Sequence, residues 1–145
     1  NLRQIIKGCI EKGIKHLTIY AFSTENWRRP KEEVEGLLNI LETYLDKETE
    51  ELCREGVRIH HIGRPESMPE SVRKKLENSM EATCQNTSLV LHLAWNYGGR
   101  DEIIHVIQKM IEDGIPVDQA NEETVDKYLF TYGAPDPDLI IRTSV

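Results

Sequence analysis

The sequence predicts an α/β domain with a mainly parallel central sheet flanked by helices on both faces. Three observations predict it. Short apolar runs rich in β-branched and aromatic residues alternate with longer stretches of helical periodicity, the pattern of βαβ units. Right-handed crossovers then place helices on both faces of the sheet. The chain has 145 residues, near the commonest domain size, so residues 1–145 read as one domain.

Each element follows from its residues. A first helix is expected over about 2–13, with Leu2, Ile5, Ile6, Cys9 and Ile10 on one face and Gly13 at its end. "HLTIYAF" (16–22) reads as a strand. A long second helix spans about 31–54, opened by Pro30 and an acidic first turn and followed by Gly56. Val34, Leu37, Leu38, Leu41, Leu45 and Leu52 fit one stripe on it. "VRIHHIG" (57–63) is a second strand, and a third helix opens near Pro69. "SLVLHLAW" (88–95) is the third and most apolar strand, followed by a helix over 98–114 between glycines. A short helix near 122–130 and a fourth strand, "PDLIIRT" (137–143), complete the pattern.

Composition narrows the function. The formal net charge is −7, which argues against a nucleic-acid partner, although a cleft can still concentrate positive potential locally. The cysteines Cys9, Cys53 and Cys84 are odd in number and form no C-x-x-C pair, which suits free thiols in a reducing, cytoplasmic setting. No apolar run approaches the ~20 residues of a membrane span, and no signal peptide opens the sequence.

Ligands of such sheets bind beyond the carboxyl ends of the strands. The residues leaving the predicted strands are Ser23 to Arg29, Gly63 and Arg64, Asn96 to Arg100, and Arg142 to Ser144. Arginine presents a planar fork of donors matched to phosphate oxygens, so Arg29, Arg100 and Arg142 could converge on one anionic group. Ser23, Asn26 and Ser144 could add uncharged donors, and helix starts near Pro30 and Gly99 supply free N–H groups. Each arginine taken alone also fits a solvated surface. Trp27 either lines an apolar pocket or packs as a lid on the following helix. Glu25 and Glu33 either orient the arginines or move protons, and Glu33 equally suits the first turn of a helix. Asp136-Pro137-Asp138 reads as a turn rather than a carboxylate pair for a metal. His60 and His61 point to opposite faces of their strand, and His92 reads as a satisfied core or pocket histidine.

Three of these stretches, "YAFSTENWRRPKEEV" (20–34), "LAWNYGGRDEI" (93–103) and "PDPDLIIRTS" (135–144), resemble signature regions of the cis-prenyltransferases. The resemblance implies condensation of isopentenyl diphosphate in cis onto an allylic diphosphate such as farnesyl diphosphate, assisted by Mg²⁺, with the product growing into a hydrophobic tunnel between helices and sheet. It also implies a homodimer, cytosolic or loosely attached to a membrane. By the same resemblance Asn26, Trp27 and Glu33 are catalytic, and Asn26 is tied to proton loss. Ser23, Trp27, Arg29, Arg142 and Ser144 bind substrate, and Leu91 and Leu93 line the tunnel. No residue of this chain is assigned to the metal, because the family's "DGNGRWA" stretch, with its central aspartate, is absent from the sequence. The family's continuation after "IRTS" is absent too, so the domain is expected to be incomplete at both ends. The other readings are a non-catalytic partner subunit or inactive fragment of the same family, and an unrelated phosphate-binding α/β protein.

Overall fold

The computed structural model describes residues 2–142. The chain runs α1 (Leu2–Glu11), β1 (His16–Ser23), a 3₁₀ turn (Thr24–Arg28), α2 (Lys31–Arg54), β2 (Val57–Ile62), α3 (Glu70–Thr83), β3 (Leu89–Tyr97), α4 (Gly99–Glu112), a 3₁₀ turn (Val117–Gln119) and α5 (Glu122–Asp126). The helices form where the apolar spacing allows one buried stripe. α2 buries Val34, Leu38, Leu41, Leu45 and Leu52, and α3 buries Val72, Leu76, Ser79 and Thr83. These steps of three, four and seven keep one face inward. Each leucine so buried contributes about 1.5–3 kcal/mol of apolar transfer. Pro30 and Pro69 stand just before the first helical residues, where a missing N–H costs nothing.

The sheet has three strands in the order β1-β3-β2, and both outer strands run parallel to β3. Leu89, Leu91, Leu93 and Trp95 alternate toward one face, in line with Val57 and Ile59 of β2. There they form one cluster with Ile6 and Cys9 of α1 and the buried stripes of α2 and α3. β3 is mostly apolar because it is the central strand, with 89–96 almost wholly buried and His92 and Asn96 its polar exceptions. The register of β1 slips between Tyr20 and Phe22, which turns Phe22 inward against Trp95.

The expected fourth strand over 137–143 is not formed in its described part. Residues 137–142 take no regular structure, and Leu139, Ile140 and Ile141 are 76%, 82% and 78% exposed. An apolar β-branched run becomes a strand only if a neighbour pairs with it and buries one face. Neither outer strand of the described sheet pairs with this segment. The short helix near 122–130 is also narrower than expected, covering Glu122–Asp126 with Asn121 as its N-cap.

The second face of the sheet carries polar side chains. His16, His92 and His60 contact one another across β1, β3 and β2. Burial, then the neighbouring His60, His16 and Arg58, push His92 down to about 4. His60 is lowered too, chiefly by burial. A histidine whose pKa is depressed by folding contributes stability that is present above its unfolded value near 6.5 and lost as pH falls toward 4. Urea midpoints are therefore expected to drop through that window. His92→Gln should flatten that drop, and equal slopes for both proteins would contradict the account.

Candidate functional site

β1 ends at Ser23, and the chain turns at once through Thr24–Arg28. The Ser23 backbone N–H donates to Asn26 Oδ1 at 2.8 Å, and Arg29 N–H donates to the Asn26 carbonyl at 3.0 Å. Asn26 thus fixes the turn through both its side chain and its backbone. The turn swings Trp27 back over the sheet, edge-on to Phe22 with centroids 5.0 Å apart. Its Nε1–H donates to Asn96 Oδ1 at 2.6 Å.

Asn96 joins three segments. Its Nδ2 donates to the Arg64 carbonyl at 2.8 Å, and the Arg64 N–H returns a bond to the Asn96 carbonyl at 3.1 Å. Asn96 has φ of 54°, a left-handed conformation that asparagine tolerates better than most residues. Arg64 then pairs with Asp101 in the first turn of α4. One buried amide therefore ties together the exits of β1, β2 and β3. Gly98 completes the rim, because a Cβ there would lie 2.5 Å from Thr24 Oγ1.

Around this tie the rim holds further polar groups. His61 Nε2–H donates to the Trp95 carbonyl at 2.8 Å, and burial holds the ring below its ordinary pKa. Tyr97 donates its hydroxyl to Glu102 Oε2 at 2.7 Å, while Phe130 N–H donates to Glu102 Oε1 at 2.8 Å. Burial first, then Glu102, raises the Tyr97 phenol well above its usual range. Trp95 Nε1 is buried without a hydrogen-bond partner among the described residues. Glu25 is fully exposed, and hydrogen bonds from its own backbone and then from Ser23 hold its carboxyl below the usual value.

The expected site residues separate into two groups. Ser23, Asn26 and Trp27 are brought to the shared rim with Asn96 and Arg64. Arg29 and Glu33 form an ion pair at 3.7 Å on the exposed flank of α2. An exposed pair of that kind contributes only about 0.3–0.5 kcal/mol, so it positions rather than stabilises. Arg100 and Arg142 are exposed. No hydrogen bond or ion pair joins Arg142 to the rim among the described residues, and Ser144 lies outside them. Leu91 and Leu93 are 0% and 4% exposed, in the core between the sheet and α1–α3. Arg64 and Asn96 stand among the strand-exit residues read from the sequence, but with no role assigned to either, and Asp101 lies outside that set. The signal available for Asn96 was its place before Tyr-Gly-Gly at a strand exit, where a left-handed residue is needed.

Comparison with known proteins adds the lineage. A family model described as "Putative undecaprenyl diphosphate synthase" matches residues 1–145. An isoprenyl transferase of Clostridium tetani is 47% identical over 147 residues, covering 99% of this chain and 58% of that protein. One of Thermotoga maritima is 45% identical, covering 99% and 62%. Among solved structures, a probable undecaprenyl diphosphate synthase from Campylobacter jejuni superposes with a TM-score of 0.82 at 34% identity, covering 89% of this chain and 62% of that one. Lavandulyl diphosphate synthase from Lavandula x intermedia, in complex with dimethylallyl diphosphate, gives 0.87 at 31%, covering 92% and 59%. The chain thus spans less than two thirds of the length of these relatives. Matched by one family over its whole length, it belongs to the prenyltransferase family of undecaprenyl diphosphate synthases.

Proposed function

We propose that this chain forms the isopentenyl diphosphate side of a cis-prenyltransferase that builds a long-chain polyprenyl diphosphate from a farnesyl-type allylic diphosphate. The observation that carries the reading is the Trp27–Asn96–Arg64 tie, which assembles a polar rim above an aromatic cluster. Such a rim suits a substrate with an anionic head and a hydrocarbon tail. The allylic C–O bond breaks, and diphosphate leaves with the bonding pair. The terminal alkene carbon of isopentenyl diphosphate attacks the allylic carbon, and transfer of a proton from the adjacent methylene to an oxygen of the departing diphosphate restores a double bond.

In this reading Ser23 and Arg29 contact the isopentenyl diphosphate head, with Arg142 and Ser144 approaching it from the other chain segment. Glu33 holds Arg29 in place, and Trp27 covers the hydrocarbon. Asn26 stands beside the departing proton; its Oδ1 already accepts from Ser23 N–H, which leaves Nδ2–H₂ to face substrate. Leu91 and Leu93 belong to the layer where the tail would run. Mg²⁺ supplies charge neutralisation for the leaving diphosphate in the family. Among the described residues no three His, Cys, Asp or Glu side chains stand together as a metal site, so these residues do not fit it and no step is routed through it. No helix among them is long and apolar enough to cross a membrane. A homodimer in the cytoplasm or at a membrane surface accompanies the reading.

The test uses the full-length protein with labelled isopentenyl diphosphate, farnesyl diphosphate and Mg²⁺. Incorporation into long, butanol-extractable products is expected; none would overturn the enzymatic reading and leave the partner subunit in its place. Arg142→Ala should weaken isopentenyl diphosphate binding by about 1.5–3 kcal/mol, the scale of a hydrogen bond to a charged group. An unchanged affinity by titration would remove Arg142 from the site.

A further inference from the structure

The second face of the sheet holds a cluster that the proposed reaction does not use. His16 Nδ1 lies 3.0 Å from His92 Nε2, and His60 Nδ1 lies 3.0 Å from His92 Nδ1. The three imidazoles form an unbroken row across the sheet. His16 opens β1, and His60 and His92 each stand fourth in their strands. The row is therefore set back from the carboxyl rim that carries Ser23, Asn26 and Trp27.

Proton counting constrains what the row can do. A neutral imidazole has one N–H and one lone pair. His92 spends both nitrogens on its neighbours, so in either direction of the row two of the three protons lie in its internal bonds. One remains, on the outer Nε2 of His16 or of His60, and the opposite end presents a lone pair. A single added proton makes both outer nitrogens donors and leaves His92 neutral, in keeping with its depressed pKa near 4.

The three histidines line a cavity of about 100 Å³ together with Arg58, Val90 and the segment Tyr132–Ala134. Besides the row itself, the titratable or charged residues lining the cavity are Arg58 from β2 and Tyr132 from the segment after α5. Among the described residues no carboxylate lines the cavity. Arg58 forms no ion pair among the described residues. A permanent cation, two potential donors and no compensating acid, in a volume suited to four oxygens around one atom, select an anion.

We propose that this cavity is a proton-linked site for a small tetrahedral oxyanion of the sulfate or inorganic phosphate class. Arg58 and the outer N–H groups of His16 and His60 hold it, and one proton enters with it. The anion offsets the charge that the row otherwise resists, so binding tightens as pH falls.

Sulfate is the test probe, because its own charge does not change between pH 5.5 and 7.5. Calorimetric titration of this chain in buffers of different ionisation enthalpy reads affinity and proton uptake together. Imidazole NMR resonances report the location. Uptake of one proton tightens binding by up to roughly tenfold per pH unit. The expected result is sulfate binding at least tenfold tighter at pH 5.5 than at 7.5, uptake approaching one proton, and shifts in the rings of His16, His60 and His92. Arg58→Gln, at an exposed position that leaves the fold intact, should abolish those shifts. His16→Gln should reduce the proton uptake. Phosphate should bind in the same place, and diphosphate, too large for the cavity, should bind there more weakly. Affinity independent of pH, ring shifts that survive Arg58→Gln, shifts confined to residues 23–29, or no saturation at tens of millimolar sulfate would each overturn the proposal.

Discussion

Gly63→Ala is expected to be among the most destabilising single substitutions in this chain, at about 3 kcal/mol or more. Gly63 has φ of +128°, which a side chain strains. A Cβ there would lie 2.3 Å from the Trp95 carbonyl oxygen and 2.8 Å from that of Asn96. Both neighbours are backbone, and the Asn96 carbonyl already accepts from Arg64 N–H. Neither can rotate away, so relief requires β2 and β3 to part at the rim. A total stability of about 5–15 kcal/mol makes such a loss a large fraction. At about 2–4 °C per kcal/mol, the thermal midpoint should fall by roughly 10 °C. Gly99→Ala is the control. It sits at the first position of α4 with nothing within 4 Å of its added methyl. That change should be neutral or stabilising by up to about 1 kcal/mol. Chemical denaturation of both variants checks the pair. Equal midpoints would mean that the rim is soft enough to absorb a methyl, and a soft rim cannot hold a diphosphate in register.

Much of the fold was legible because periodicity reports burial. The α2 stripe and the mostly apolar β3 both follow from which face meets the core, and the structure keeps both. The fourth strand failed for the same reason the others succeeded. Leu and Ile content raises the tendency to pair, but pairing needs a neighbour, and "LII" at 139–141 has none among the described residues. Of the site, the polar rim was readable from its position after the strands. The ties within it were not. Nothing in "LAWNYGGR" says that Asn96 will bond Trp27, which lies 69 positions earlier, since that contact exists only after β1 and β3 align. The histidine row was hidden similarly. His60 and His61 were correctly assigned opposite faces, yet which face His16 and His92 share depends on register across three strands.

Asn96→Ala carries the second large effect, and its variants separate conformation from bonding. Alanine removes the acceptor for Trp27 Nε1–H and the donor to the Arg64 carbonyl, and it places a Cβ residue in the left-handed region without the polar side chain that eases it. Leaving two part-buried groups unpaired costs about 1–3 kcal/mol each at most, and the backbone adds about 1. A total near 3 kcal/mol is expected, read by urea denaturation. Asn96→Gly relieves the backbone but restores neither bond, so it should recover only about 1 kcal/mol of that loss. Asn96→Asp keeps the acceptor for Trp27 yet sets a carboxylate against the Arg64 carbonyl, so it should remain destabilised. Trp27→Phe keeps the ring over Phe22 and removes only the N–H. Combined with Asn96→Ala it should cost less than the sum of the two changes, with a coupling of about 1 kcal/mol. Additive losses would mean that the 2.6 Å contact carries no energy. Under the proposed function the same coupling would bear on catalysis. If the tie fixes the turn that carries Asn26 and Arg29, Asn96→Gly should lower kcat/KM by about 100-fold, since misplacement near 1 Å has that scale. A folded Asn96→Gly enzyme with undiminished turnover would show that the turn holds its shape through Asn26 and Ser23 alone.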